Sequence, residues 1–234
     1  MQWGTLHNIW DLGGLPAVGD DTVRGRVFRS PRLDGLDEAG WDALLASGVC
    51  TIIDLRNDDE VAPPAVTAAI TVHRRPVEDQ SDEVFMRSWG ERLNSPAVWA
   101  ATLENFPGKV VAALRAIAEA PADGAVLVHC AGGRDRTGLI SAMLLQLAGA
   151  AHEGIVNDYW LGVIAANFHL REHPKPHERG RTDAELGPWL DEITEHLEAF
   201  LDEVDVEFWL RAQGAEELIA PLRRRLLEPM PAAA

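Results

Sequence analysis

The period of the apolar positions changes several times along the chain, and each change marks an element. Residues 49–55 are rich in β-branched side chains and nearly unbroken by polar ones, which predicts a strand buried on both faces. Residues 125–128 read the same way, and residues 71–77 form a second strand that runs into a polar loop at Glu78 and Asp79. Between the strands the spacing lengthens to that of helices. Asp37 can cap a helix carrying Trp41, Leu44 and Leu45, which Gly48 would close. Pro107 opens another with Val110, Leu114, Ile117 and Ala118 on one face.

The second half of the chain is mainly helical in pattern. An apolar segment at 139–147 stops at Gly149, and Val156, Tyr159, Trp160 and Val163 define the next helix. Residues 171–180, with two prolines and several charges, read as an exposed linker. Beyond it, Leu186, Trp189, Ile193, Leu197, Phe200 and Val204 keep helical spacing, and a last helix is expected near 215–227 before a frayed end. Strands alternating with helices predict an α/β fold: a central, mostly parallel sheet flanked by helices. One domain over 1–234 is expected, with a core at about 5–170 and a helical region at about 183–228.

The chemistry concentrates between the strand at 125–128 and the helix that follows. His129, Cys130, Ala131, Gly132, Gly133, Arg134, Asp135, Arg136, Thr137 and Gly138 form a loop from strand to helix. Such a loop curls so that successive backbone N–H groups point inward, and the helix N-terminus adds free donors and the positive end of its dipole. The product is an anion cradle with a thiol at its floor. The same positive field favours the anionic sulfur that attacks phosphorus. Two arginines and an aspartate in one short loop do not suit an apolar core. The nucleotide-binding pattern Gly-x4-Gly-Lys-Ser/Thr is absent, and Cys50 lies too far along the chain to share a zinc-ligand spacing with Cys130.

This loop resembles the signature of the cysteine-dependent phosphatases, which include tyrosine, dual-specificity and phosphoinositide phosphatases. It is most similar to the bacterial tyrosine phosphatases whose loop reads His-Cys-x-x-Gly-Lys-Asp-Arg-Thr-Gly. Arg134 stands where that family has lysine, which keeps the charge but replaces a mobile point charge with a planar fork. The resemblance extends to Asn8–Gly14 (Asn-Ile-Trp-Asp-Leu-Gly-Gly, near the family's Asn-Phe-Arg-Asp-Leu-Gly-Gly), to the short strand at 25–30 and to Asp54-Leu55-Arg56. It also implies that helices after the core can form a lid, a role open to the helix at 186–204, for which plain packing is the competing explanation.

What the resemblance implies, together with the loop chemistry, is hydrolysis of a phosphoric monoester through a phosphocysteine on Cys130. The amides of Ala131, Gly132, Gly133, Arg134, Asp135 and Arg136 would hold the phosphate oxygens, and the Arg136 fork would grip two of them. His129 is expected to organise the loop, and the Thr137 hydroxyl to donate to the Cys130 sulfur. For the general acid, Asp79 is placed by the resemblance and Asp135 by its nearness to the chemistry; Asp54 and Asp58 are expected to cap or to pair with arginines. No metal or cofactor is expected, since arginine and amides supply the positive charge. The expected substrate is a phosphorylated protein, with a phosphoinositide as the alternative. Arg134 decides between them according to whether it meets a second phosphate or a carboxylate. A phosphate-binding module without turnover and, more distantly, a sulfurtransferase are the other readings. Cys50 is expected to be inert, a disulfide with Cys130 being the alternative, and Trp89 is a candidate wall of the substrate groove.

Composition narrows the partners. A net charge of −16 argues against nucleic acid and against anionic membrane surfaces. Hydrophobic content of 47% is ordinary for a globular protein, and two cysteines suit a reducing compartment. No apolar run approaches the ~20 residues needed to span a bilayer, so no membrane insertion and a cytoplasmic location are expected. Residues 183–207 hold ten Asp or Glu and no Lys or Arg, the wet face of a helix.

Overall fold

The computed structural model describes residues 3–61, 69–175 and 178–231. Its centre is β5 (Ala125–His129), all five residues of which are buried. Four further strands complete the sheet: β1 (Trp10–Asp11), β2 (Val27–Ser30), β3 (Val49–Asp54) and β4 (Thr71–Arg74), in the order β1-β2-β5-β3-β4. β2, β5, β3 and β4 run parallel, and β1 alone is antiparallel, on β2. This is the mostly parallel sheet that the alternating pattern predicts.

Side chains alternate across a strand, so neighbours in sequence enter different cores. Ala125 and Leu127 join Ile52, Phe28 and Leu44 on one face, where α1 (Glu38–Ala46) packs. Val126 and Val128 join Ile53 and Val27 in the larger cluster on the other. Asp37 caps α1 by accepting from the Gly40 amide at 2.8 Å. The larger cluster takes side chains from α2 (Glu83–Trp89), α3 (Trp99–Asn105), α4 (Pro107–Ala118), α5 (Asp135–Leu147), α6 (His152–Glu172), α7 (Asp183–Glu203), α8 (Val206–Ala212) and α9 (Ile219–Leu227). Helices on both faces explain why the middle strands are buried on both sides and mainly apolar.

Three helices, α2, α3 and α8, have no counterpart in the sequence pattern, because each spans only seven residues, too few for a periodic stripe. α2 is marked only by its cap: Asp82 accepts from the Val84 and Phe85 amides at 2.9 and 3.0 Å. The expected linker at 171–180 is shorter than the pattern implies. α6 runs to Glu172, Lys175 and Glu178 pair as a bridge, and residues 176–177 lie outside the described set.

α7 is a packing helix. Trp189, Ile193, Leu197, Phe200 and Leu201 are all buried in the larger core, the arrangement expected of plain packing, the alternative to a lid. Leu197 is fully buried, so Leu197→Ala should cost about 2–5 kcal/mol in urea denaturation. Loss of turnover without loss of stability would be the signature of a lid instead.

Candidate active site

β5 ends at His129, and the chain from Cys130 to Arg134 turns into the first residue of α5, Asp135. β5 lies between β2 and β3, whose last residues Ser30 and Asp54 are both in register with His129. The loop therefore sits at the carboxyl end of the middle strand, the usual place for a site in an open α/β sheet.

What shapes the loop lies behind it. Asn8 Nδ2 donates to the Gly132 carbonyl at 2.8 Å, and Arg29 NH2 donates to the Gly133 carbonyl at 2.7 Å. Arg29, fully buried, also pairs with the Asp158 carboxylate of α6. With its carbonyls claimed from behind, the loop's remaining amides are available to the front. Two glycines make this packing feasible. Gly133 has φ +65°, and a Cβ there would lie 2.5 Å from the Ser30 carbonyl. A Cβ on Gly162 would lie 2.5 Å from the Arg29 guanidinium.

Both loop arginines are matched by carboxylates. Arg136 forms a two-pronged pair with Glu60, its NH2 donating to Oε1 at 2.8 Å, while Nε lies 3.5 Å from Glu78. Glu60 uses one N–H from each end nitrogen of the five that a guanidinium carries, so donors remain for a phosphate. Arg134 donates from Nε to both Asp135 oxygens, at 3.1 and 2.9 Å, and from NH2 to Glu178 at 2.7 Å. Its guanidinium also lies 5.6 Å from the Trp189 ring centre. Of the two partners expected for Arg134, the carboxylate is the one present. Burial works against the charge of both arginines, but these carboxylates outweigh it and raise both pKa values.

His129 is buried and lies 3.1 Å (Nδ1) from the Cys130 carbonyl and 3.8 Å (Nε2) from Asp54. Burial lowers its pKa despite the Asp54 charge, so the ring is neutral near pH 7. Burial opposes ionisation of Asp54 as well, yet hydrogen bonds from Arg56 leave its carboxyl below the usual range. Asp54 and Asp58 both pair with arginines, Asp58 with Arg74 at 2.6 Å.

The acidic candidates separate by one residue. Asp79 does not line the cavity: it accepts from the Ser81 hydroxyl and amide at 2.6 and 3.0 Å, with Lys109 4.0 Å away. Glu78 lines it instead and is 3% exposed. Burial raises its pKa even though Arg136 pulls the other way. Asp135 lines the same cavity and accepts from the Tyr159 hydroxyl at 3.1 Å. Sequence reasoning missed Glu60, Glu78, Asn8's role, Arg29, Asp158, Tyr159 and Glu178. Of these, Asn8 and Arg29 lie within segments that carry the family resemblance, at 8–14 and 25–30.

Other expectations change. The Thr137 hydroxyl is buried and has no hydrogen-bond partner among the described residues, so the bond to the Cys130 sulfur is not made here. Cys50 stands beside Ala125, at the opposite end of β5 from Cys130. Five residues of parallel strand put the two thiols about 16 Å apart, too far for a disulfide. Trp89 packs against the larger core and does not line the cavity. Among the described residues no helix is long and apolar enough to cross a membrane.

The cavity measures about 690 Å³ and collects Cys130, Ala131, Gly132, Arg134, Asp135 and Arg136 on one wall. A thiol, the two loop arginines and several carboxyls lining one cavity suit transfer of a phosphoryl group. Comparison with known proteins agrees. The model of the tyrosine phosphatase family matches residues 1–228. The triple specificity protein phosphatase PtpB of Mycobacterium tuberculosis is 34% identical over 78% of this chain and 77% of its own. A putative tyrosine-protein phosphatase of Cupriavidus necator is 27% identical over 97% of this chain and 88% of its own. The solved structure of TpbA from P. aeruginosa, with phosphotyrosine bound, covers 82% of this chain and 90% of its own at 17% identity and a TM-score of 0.46. The chain belongs to the tyrosine phosphatase family and is a phosphoric monoester hydrolase that acts on phosphorylated substrates.

Proposed function

We propose that this phosphatase hydrolyses phosphotyrosine in proteins through a phosphocysteine on Cys130. The observation that carries the reading is the cavity wall itself, on which Cys130, Arg136 and Asp135 stand around one loop whose carbonyls are pinned from behind. The Cys130 sulfur attacks phosphorus in line, an S–P bond forms, and the ester P–O bond breaks. Loop amides and the free Arg136 donors hold the nonbridging oxygens, where charge spreads in the transition state. Asp135 protonates the departing oxygen. It then accepts a proton from the water that cleaves the S–P bond, which releases inorganic phosphate and the thiolate. His129, Arg29 and Asn8 position the loop without touching substrate.

Protein rather than lipid is favoured because Arg134 keeps Glu178 as its carboxylate partner even when Asp135 carries the proton, which leaves no unpaired guanidinium in the loop for a second phosphate of an inositol ring. Glu78 is the second reading for the proton donor, favoured by the burial that raises its pKa. Its contact with Arg136 instead makes it part of the clamp on that arginine.

Wild type should hydrolyse para-nitrophenyl phosphate in EDTA, and Cys130→Ser should not. Turnover that survives the substitution would exclude the phosphocysteine. Asp135→Asn should lower kcat by about 10²–10⁴ for an alkyl phosphate and far less for a good leaving group. If Glu78→Gln shows that leaving-group dependence and Asp135→Asn does not, the roles are exchanged. Arg29→Met should reduce kcat/KM by about 10², because it releases the loop carbonyls while every reacting group stays in the chain. Glu78 also makes a stability prediction. A carboxyl whose pKa is raised on folding loses stability as pH climbs from its unfolded value through its folded one. Across pH 4 to 7 the Tm of Glu78→Gln should therefore rise relative to wild type, as seen by calorimetry at each pH.

A further inference from the structure

The cations of this cavity fall into two sets. The inner arginines, Arg134 and Arg136, are each paired with carboxylates. The rim holds His7, His169, His173, Lys175 and Arg32, and none of these side chains makes an ion pair among the described residues. His7 comes from the N-terminal loop, and its ring stacks on that of His169 with centres 4.0 Å apart. His173, the cap of α6, lies 4.9 Å from His169, tilted by 50°. Lys175 follows two residues later. In a chain of net charge −16, basic groups drawn from separate segments line the cavity that holds the nucleophile, with Glu172 and Glu178 in the same lining but no carboxylate in ion-pair contact with them among the described residues.

The arrangement disfavours protonation of the His169 ring unless something anionic shares the rim. Burial and the neighbouring His7, His173 and Lys175 all lower the pKa of His169, and Glu172 alone pulls it up. Glu178, the other carboxylate on this side of the cavity, feels Lys175 but is hydrogen-bonded to Arg134 at 2.7 Å. The three rings do not form a metal site, since no cluster of metal-ligating side chains occurs among the described residues. The C-terminal end of α6 favours positive charge on His169 and His173. An anion at the rim would convert mutual repulsion into charge-assisted hydrogen bonds and draw protons onto the imidazoles.

We propose that the His7–His169–His173 rim, with Lys175 and Arg32, binds a second phosphate carried by the same phosphopeptide, beside the phosphotyrosine that enters the loop. The proposal rests on the phosphatase reading and adds a substrate class to it: peptides phosphorylated at two neighbouring residues. A soluble peptide is the occupant that fits, because the chain's acidity repels an anionic lipid surface. The peptide spans the mouth of the cavity, one phosphate over Cys130 and the other among the imidazoles.

The test uses the full chain carrying Cys130→Ser, so that binding is read without turnover. Two peptides of one sequence, one with phosphotyrosine alone and one with an added neighbouring phosphothreonine, are titrated by calorimetry at pH 6.5. The doubly phosphorylated peptide should bind about tenfold tighter, the effect of two or three exposed ion pairs acting together. Adding His7→Gln, His169→Gln and His173→Gln should reduce that ratio to below about twofold. In NMR titrations the His169 ring should show a higher pKa with the doubly phosphorylated peptide than without it.

Equal affinity for the two peptides overturns the inference and leaves the phosphatase reading intact. So does an advantage that persists in the histidine variant. Failure of the phosphatase reading looks different: neither peptide binds and wild type turns over neither, which removes both conclusions together. A soluble inositol bisphosphate serves as the third ligand. If it alone loses affinity in the histidine variant, the rim serves a lipid head group and the peptide assignment is overturned.

Discussion

The buried guanidinium of Arg29 is the constraint from which the site is built. It stands on β2, reaches beneath the loop to the Gly133 carbonyl, and is neutralised by Asp158 from α6. Three elements thus meet on one planar group: the strand beside β5, the loop and the helix behind it. A buried pair of this kind contributes little net stability against a well-packed apolar replacement, but removing one partner costs about 3–5 kcal/mol. Its use here is specificity of shape. The fork fixes which way the loop's peptide planes face, and that orientation turns a turn between strand and helix into an anion cradle.

Charge is arranged in shells around that cradle. Glu60 and Glu78 hold Arg136, Asp135 and Glu178 hold Arg134, and Asp54 and Asp34 hold Arg56. Each arginine is therefore positioned before substrate arrives, and reorganisation during reaction is correspondingly small. Phosphate enters a site whose positive groups already have partners and must share them. Such sharing weakens ground-state binding of any anion while preserving donors for the transition state, where the equatorial oxygens carry more charge.

The sheet and the loop were legible because they are local. β3 and β5 are nearly unbroken apolar runs, the loop is contiguous, and α7 shows its stripe over twenty-one residues. The strand order was not legible, since β5 lies between β2 and β3 although it follows both in sequence. Nor was the support of the loop: Arg29 and Asp158 are 129 positions apart, and each alone reads as a surface charge. The acidic residue after β4 shows the limit most sharply. Neighbouring side chains leave the backbone in different directions, so Glu78 enters the cavity while Asp79 turns to Ser81 and solvent. Sequence points to Asp79 in that dipeptide, and only packing shows that its neighbour Glu78 is the one that reaches the cavity.

The parallel pairing of β3 with β5 has one more consequence, for the lifetime of the enzyme under oxidants. Cys50 enters the sheet where β5 begins, and Cys130 stands where β5 ends. A sulfenic acid formed on Cys130 thus finds no second thiol of its own chain to condense with. Its rescue depends on a backbone nitrogen or on a small thiol diffusing into the cavity, and without either the oxidation proceeds to forms that are not reversed. The geometry that holds the nucleophile at the end of the middle strand also leaves it without an internal reductant.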